Sequence, residues 1–291
     1  MLDKRLSLDD FVGRLSDGMT IGVGGWATRR KPMALIRAIA RSKLKDLTVV
    51  AYGGPDVGLL AASGKLKKLI FGFVSLDHFP LDPHFRAARQ AGLDVLELDE
   101  GMLQWGLRAA AMRMPFLPTR VGIATDIVNQ PGFKTVTSPY EDGETFIAMP
   151  ALKLDAAILH VHRADQMGNV LTLSPDPFFD ELMARAANKV FVSTEKLVAT
   201  EELHVAENAR FHLVERAVIS GVVETRFGAH PTGASPDYGI DLKHLKAYTE
   251  TAASPEAWND YRSRFVDISP EAYLKAVGGA EHVSALPAPV Y

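Results

Sequence analysis

The chain has 291 residues, 47% of them hydrophobic and 23% charged, with a formal net charge of −3. This is the composition of an ordinary soluble protein, able to build one large α/β domain or two small ones, and it excludes the global basic field on which non-specific nucleic-acid binding depends. The absence of cysteine excludes disulfides, thiolate metal sites and a cysteine nucleophile and fits a cytoplasmic setting; the polar start Met1 to Asp10 is no signal peptide, and no run of about 18 apolar residues predicts a membrane span.

Ser7 followed by Leu8, Phe11, Val12 and Leu15 predicts a short capped helix that ends before Asp17-Gly18. Thr20 to Val23 then reads as a buried strand running into Gly24-Gly25-Trp26, three cations Arg29, Arg30 and Lys31, and a helix started by Pro32. Gly24 and Gly25 lack Cβ, so their N–H groups are expected to be open to a carbonyl oxygen, an oxyanion or a phosphate, beside the positive end of the following helix. The spacing fits neither the dinucleotide fingerprint nor the P-loop, and a plain strand-to-helix turn is the competing reading.

Strands at 47–52, 68–74 and 95–98 alternate with helices at 57–63, 83–91 and 102–114, which predicts βαβ units around an open, mostly parallel sheet flanked by helices, an α/β fold. Residues 115–140 carry four prolines with little periodicity and read as a loop-rich excursion, a lid or a contact with another subunit. Strand signals return at 145–149, 156–161, 190–194 and 217–223, with a helix at 180–187 between them. The irregular stretch Phe227 to Gly239 reads as a functional loop, 242–277 as C-terminal helices, and 284–291 as a loose tail. The whole is expected to form a single domain over residues 1–283.

Asp99-Glu100-Gly101 follows a strand and opens a helix, placing two carboxylates at the sheet edge where open α/β folds bind ligands. Both can be structural, as cap and dipole partner; Asp99 is the better N-cap, which leaves Glu100 the freer of the two. His160 and His162 share a strand face near Asp165, but a metal site needs three or four convergent ligands and no further cluster supports one, so no metal is assigned. Glu195 is another sheet-edge carboxylate, not separable by sequence from a solvated surface acid. His230 and Tyr238 in the late loop can reach a substrate or satisfy a turn.

The ordered set of motifs resembles the α subunit of family I CoA-transferases, the glutaconate CoA-transferase-like group. The segments are Asp17-Gly to Pro32, Gly53-Gly-Pro-Asp-Val-Gly-Leu-Leu60, Ala164-Asp-Gln-Met-Gly-Asn169 and Gly228-Ala-His-Pro-Thr232, and they span roughly residues 5 to 250. Trp26 stands where the family usually has phenylalanine and Arg30 where many members have glycine. Six segments, among them Asp99-Glu-Gly-Met-Leu103 and Pro236-Asp-Tyr-Gly239, are similar to a branch that hydrolyses a carbon–carbon bond, opening the last ring of a steroid-derived cyclohexenone CoA thioester in cholesterol catabolism.

That resemblance implies a β subunit as obligate partner in an α2β2 assembly, coenzyme A as part of the substrate with no permanently bound cofactor, and no nucleic-acid or membrane partner. It carries a catalytic glutamate onto Glu100. Gly24, Gly25 and Trp26 become the expected oxyanion or thioester contacts, Arg29, Arg30 and Lys31 the candidates for the CoA phosphates, and Gly53, Gly54, His230 and Tyr238 substrate-loop candidates. The alternatives are an acyl-CoA:carboxylate CoA-transferase whose nucleophilic glutamate lies in the β subunit, and a non-catalytic CoA-thioester-binding protein.

Overall fold

A computed structural model describes residues 3–174 and 176–288. Its first half alternates as the sequence predicts: α1 (Leu8–Val12), β1 (Thr20–Val23), α2 (Met33–Arg41), β2 (Leu47–Ala51), α3 (Pro55–Ala62), β3 (Leu66–Phe71), α4 (Pro83–Gln90), β4 (Asp94–Glu97) and α5 (Glu100–Ala111). The excursion carries two short strands, β5 (Phe116–Thr119) and β6 (Thr135–Thr137), which pair antiparallel with β7 (Thr145–Pro150) in a separate three-stranded sheet. Then come β8 (Leu154–Ala164), β9 (Val170–Leu171), α6 (Asp180–Ala186), β10 (Ala187–Leu197), α7 (Thr200–Leu203) and β11 (Ile219–Glu224). The helices α8 (Leu242–Glu250), α9 (Pro255–Phe265), α10 (Pro270–Ala276) and α11 (Gly279–Ser284) follow.

The main sheet has the order β11-β10-β8-β1-β2-β3-β4, all pairs parallel, with β9 turned back on β8. Alternate residues serve two layers: Val49 and Ala51 join one core with Leu35, Ile36 and Ile39 of α2, while Val50 and Tyr52 join the other with Leu103 and Leu107 of α5. This two-sided burial is why the strands read as near-continuous apolar runs. Strand order reverses between β8 and β1, so the crevice outside their carboxyl ends is the switch point at which such sheets bind ligands.

A third cluster packs Phe227, Ala229, Ala234 and Tyr238 of the late loop against Tyr273, Val277 and Val283 of the terminal helices. Of the terminal stretch 284–291, residues 289–291 lie outside the described residues. Leu286 packs beside this cluster, and its carbonyl accepts a hydrogen bond from the Gly239 N–H at 3.1 Å.

Candidate active site at the carboxyl edge of the sheet

Four consecutive strand ends build one edge. Trp26 follows β1, Tyr52 and Gly53 follow β2, Gly72 and Phe73 follow β3, and Glu100 opens α5 after β4. Trp26 and Phe73 meet edge-to-face at 5.5 Å, Phe73 and Tyr52 lie 6.5 Å apart, and Phe179 lies 4.3 Å from Tyr52 with the two rings tilted by 33°. These rings make an apolar floor beside Glu100. The Tyr52 hydroxyl donates to the Glu100 carbonyl at 3.4 Å. Burial, with the Glu100 and Asp99 carboxylates nearby, pushes the Tyr52 phenol up, so it remains a proton-bearing donor at neutral pH.

The placement of Glu100 follows from its neighbours. Asp99 caps α5, its carboxylate accepting from the Gly101 N–H at 2.7 Å, which leaves the Glu100 side chain outside the cap, as residue type predicts. Gly72 leaves the space that Glu100 fills: a Cβ there would lie 3.2 Å from Glu100 Cγ and 3.3 Å from its Cα. Gly53, at φ +56°, sits under the Phe73 ring, where a Cβ would come within 2.6 Å of Cε2. Glu100, Trp26 and Gly53 are therefore brought together along one edge. Gly54 faces away, against the Ala27 carbonyl and Lys31 Cε.

The glycine turn differs from its expected role. The Gly24 N–H continues the strand pairing to the Ile158 carbonyl at 2.9 Å, the Gly25 N–H donates to Asp180 Oδ1 at 2.8 Å, and the Trp26 N–H donates to the Arg29 carbonyl at 2.9 Å. No open donor remains at Gly24 or Gly25. The anion at this turn is the chain's own Asp180, delivered by the start of α6; its close approach, with that of the Leu159 side chain, accounts for glycine at position 24, while a left-handed φ and the Arg29 and Arg30 carbonyls account for it at position 25. A Cβ at Gly24 would lie 2.7 Å from Asp180 Oδ1, and Gly25 has φ +73° with a Cβ position 2.5 Å from the Arg29 carbonyl.

Two of the three cations are structural. Arg30 is 1% exposed and its Nη1 pairs with Asp180 Oδ2 at 2.5 Å and with the His160 carbonyl at 3.0 Å. Lys31 is wholly buried and pairs with Asp56 Oδ2 at 3.4 Å, with burial pushing the ammonium down and the Asp56 carboxyl up. Neither is presented to a CoA phosphate. Arg29 differs: its side chain is 36% exposed, lies 5.0 Å above the Trp26 ring and makes one 3.3 Å contact with Asp77.

The late loop is a buttress for this turn. The Gly233 carbonyl accepts from Arg30 N–H, the Gly233 N–H donates to the Thr28 carbonyl, and Ala34 N–H donates to the Gly228 carbonyl. His230 and Tyr238, expected as substrate contacts, are 0% and 1% exposed. His230 lies 2.7 Å from the Tyr273 hydroxyl and 3.2 Å from Asp241, and Tyr238 donates to Glu195 at 2.6 Å. Glu195 is the buried hub that sequence left open: it also accepts from the Phe227 and Gly228 N–H groups at 2.5 and 3.1 Å and pairs with His160 at 2.8 Å. Burial alone would raise its carboxyl, but the hydrogen bonds from His160, Tyr238 and the loop outweigh it and hold it below the usual range.

His160 and His162 are likewise engaged by the protein. His160 Nδ1 lies 2.8 Å from the Ser193 hydroxyl, and His162 Nδ1 accepts from the Leu173 N–H while its Nε2 donates to the Ser235 carbonyl at 2.9 Å. Among the described residues no group of three or more His, Asp or Glu side chains could hold a metal ion. No helix among them is long and apolar enough to cross a membrane.

A family model described as coenzyme A transferase matches residues 5–220. The chain belongs to the coenzyme A transferase family. Within it, the chain is 50% identical over 283 residues to the cholesterol ring-cleaving hydrolase IpdA subunit of Rhodococcus jostii, covering 94% of this chain and 96% of that one. It is 47% identical over 288 residues to the IpdA subunit of Mycobacterium tuberculosis, covering 95% and 98%. The fold matches glutaconate coenzyme A-transferase from Acidaminococcus fermentans with a TM-score of 0.91 at 24% identity over 97% of this chain and 95% of that one. The mostly parallel sheet and C-terminal helices are thus those of a coenzyme A transferase α-type chain.

Proposed function

We propose that this chain is one subunit of a heteromeric hydrolase that opens a ring in a steroid-derived acyl-CoA by breaking a carbon–carbon bond. The observation that carries the reading is the near-full-length identity of 50% to a subunit named as a cholesterol ring-cleaving hydrolase. The sheet edge supports it: a carboxylate, Glu100, stands beside an apolar floor of Trp26, Tyr52, Phe73 and Phe179, suited to a flat alicyclic group.

Glu100 acts as general base on a water, which attacks the ring ketone β to the thioester. The carbon–carbon bond breaks to leave a thioester enolate, and the proton held by Glu100 returns to the α-carbon. One water is consumed, the ketone carbon becomes a carboxylic acid, and the CoA thioester survives. Because the Gly24 and Gly25 donors are engaged within the chain, enolate stabilisation falls to other donors, including those of the second subunit. That subunit, in an α2β2 assembly, covers the exposed apolar side chains of Val121, Ile123 and Tyr140; Val121 Cγ2 lies 3.6 Å from the Cβ position of Gly101, next to Glu100.

The test is co-expression with the β-type subunit and product analysis on a cyclohexenone-type acyl-CoA in ¹⁸O-water. Ring opening with label in the new carboxylate and no free thiol supports the reading. CoA transfer to an added carboxylate, or thiol release without ring opening, contradicts it.

A further inference from the structure

Trp26 and Phe73 touch, yet the strands that deliver them do not. Trp26 follows β1 and Phe73 follows β3, and β2 lies between these two in the sheet, so the backbones stand two strand spacings apart, about 10 Å. No strand register therefore fixes the 5.5 Å contact between the rings; it depends on how the loops beyond the strand ends are joined. Phe73 is also the ring next to the carboxylate, because Gly72 just before it leaves the space that Glu100 fills. A shift of the β3–α4 loop away from the glycine turn would open the apolar floor beside Glu100.

One side chain makes that join. Among the described residues, every hydrogen bond and ion pair between the loop 72–82 and the turn 24–31 runs through the carboxylate of Asp77. Its Oδ2 accepts from the Thr28 N–H at 3.1 Å and from the Thr28 hydroxyl, and its Oδ1 lies 3.3 Å from Arg29 Nη2. Arg29 lies 5.0 Å from the centre of the Trp26 ring, so the carboxylate reaches Trp26 both through the backbone at Thr28 and through the guanidinium against its face. Thr28 is 0% exposed and its carbonyl is held by the Gly233 N–H, which makes it a fixed anchor. The loop itself is lightly tied: the Ser75 carbonyl accepts from the Gly54 N–H at 3.2 Å and Leu76 enters the core, while His78 and Pro80 are exposed. The backbone is left-handed on both sides of the join, with φ +56° at Asp77, +50° at Ala27 and +53° at Arg30. Non-glycine residues keep such angles where surrounding contacts over-determine them, and they gather at functional sites.

We infer that Asp77 is a positioning residue of this site: it staples the β3–α4 loop to the glycine turn and so holds Phe73 against Trp26 as one wall for the alicyclic acyl group beside Glu100. The inference rests on the acyl-CoA reading above and adds to it a residue that acts through other side chains. Its effect is selective. A rigid ring needs both aromatic side chains held in place, whereas a flexible straight chain adapts to a displaced wall, so loosening the staple weakens ring-bearing acyl groups most.

The experiment uses the assembled complex and two thioesters of equal acyl carbon count that lack the ring ketone, cyclohexanecarboxyl-CoA and heptanoyl-CoA, in titration calorimetry. Asp77→Asn keeps an oxygen for Thr28 and tolerates the left-handed φ; Asp77→Gly accepts the same φ without any acceptor. Asp77→Gly should weaken the cyclohexane thioester at least about 10-fold and the heptanoyl thioester less than about 3-fold, and raise KM for the ring-opening substrate by more than it lowers kcat. Asp77→Asn should stay within about 3-fold of the wild type for both probes. Thr28→Val, which removes only the hydroxyl, should show the same selective loss in smaller degree, and it decides the question if Asp77→Gly does not assemble. Equal losses for the two probes, an unaffected Asp77→Gly complex, an Asp77→Asn complex as weak as Asp77→Gly, or a Thr28→Val complex without selective loss each overturn the staple. Ring opening by the wild type with no selective response in the variants leaves the hydrolase reading standing and the staple fallen. A selective response in a complex that opens no ring does the reverse.

Discussion

Replacing Asp180 with asparagine keeps an oxygen for the Gly25 N–H and removes the charge opposite Arg30. The Arg30 guanidinium is 1% exposed, and its remaining acceptors are carbonyls: His160 at 3.0 Å, and Asp176 and Pro177 at 3.3 Å each. These solvate the cation without neutralising it. Removing one partner of a buried ion pair costs about 3–5 kcal/mol, and the three carbonyls place the expected loss at the lower end, about 3 kcal/mol. In a domain of this size each kcal/mol moves Tm by about 2–4 °C, so Asp180→Asn should melt about 6–12 °C below the wild type in calorimetry. Adding Arg30→Met to Asp180→Asn removes the stranded charge while keeping the acceptor for Gly25, so the double variant should be more stable than Asp180→Asn alone. A single variant within about 1 kcal/mol of the wild type, or a double variant less stable than the single, would refute Asp180 as the counter-charge that holds the glycine turn.

Other perturbations probe the same framework. Gly25→Ala meets both a left-handed φ and the Arg29 carbonyl at 2.5 Å, whereas Gly18→Ala has φ +75° with nothing within 4 Å. Gly18→Ala should therefore cost about 1 kcal/mol in urea denaturation and Gly25→Ala at least twice that, and equal costs would sink the close-approach argument. Burial holds His84 and His162 at about 4 and His244 at about 3, below the ordinary 6.5. Depressed folded-state values mean that the stability these histidines contribute is complete above pH 6.5 and is lost as pH falls toward 4, by at most about 1.4 kcal/mol per pH unit for each. Tm should drop between pH 6.5 and 5; a flat profile would show that these histidines are not held neutral.

The alternation of strands and helices was legible because two-sided burial writes itself as apolar runs, and Val49 and Val50 serve opposite layers of the same sheet. The division of labour between Asp99 and Glu100 was legible for a local reason: Asp99 is the better cap, and the structure uses it so, leaving the Glu100 side chain outside the cap. The meaning of the glycines was not, because a glycine reports only that something approaches closely. Here the acceptor that occupies the Gly25 N–H and crowds Gly24 is Asp180, 155 residues from Gly25 in sequence, which no local pattern reveals. The same holds for Arg30 and Lys31, whose partners come from α6 and α3, and for Glu195, whose donors lie on β8 and the late loop. Tyr52 and Phe73 carry no polar pattern, and their alignment along one edge appears only when β2 and β3 are paired.

The central claim is that Glu100 moves the proton in ring opening, and the rate of ring opening by the assembled complex carrying Glu100→Gln tests it most directly. Loss of a general base predicts a fall in kcat of about 10²–10⁴, with the acyl-CoA still bound and the melting temperature preserved. Near-normal ring opening by a folded Glu100→Gln complex would contradict it.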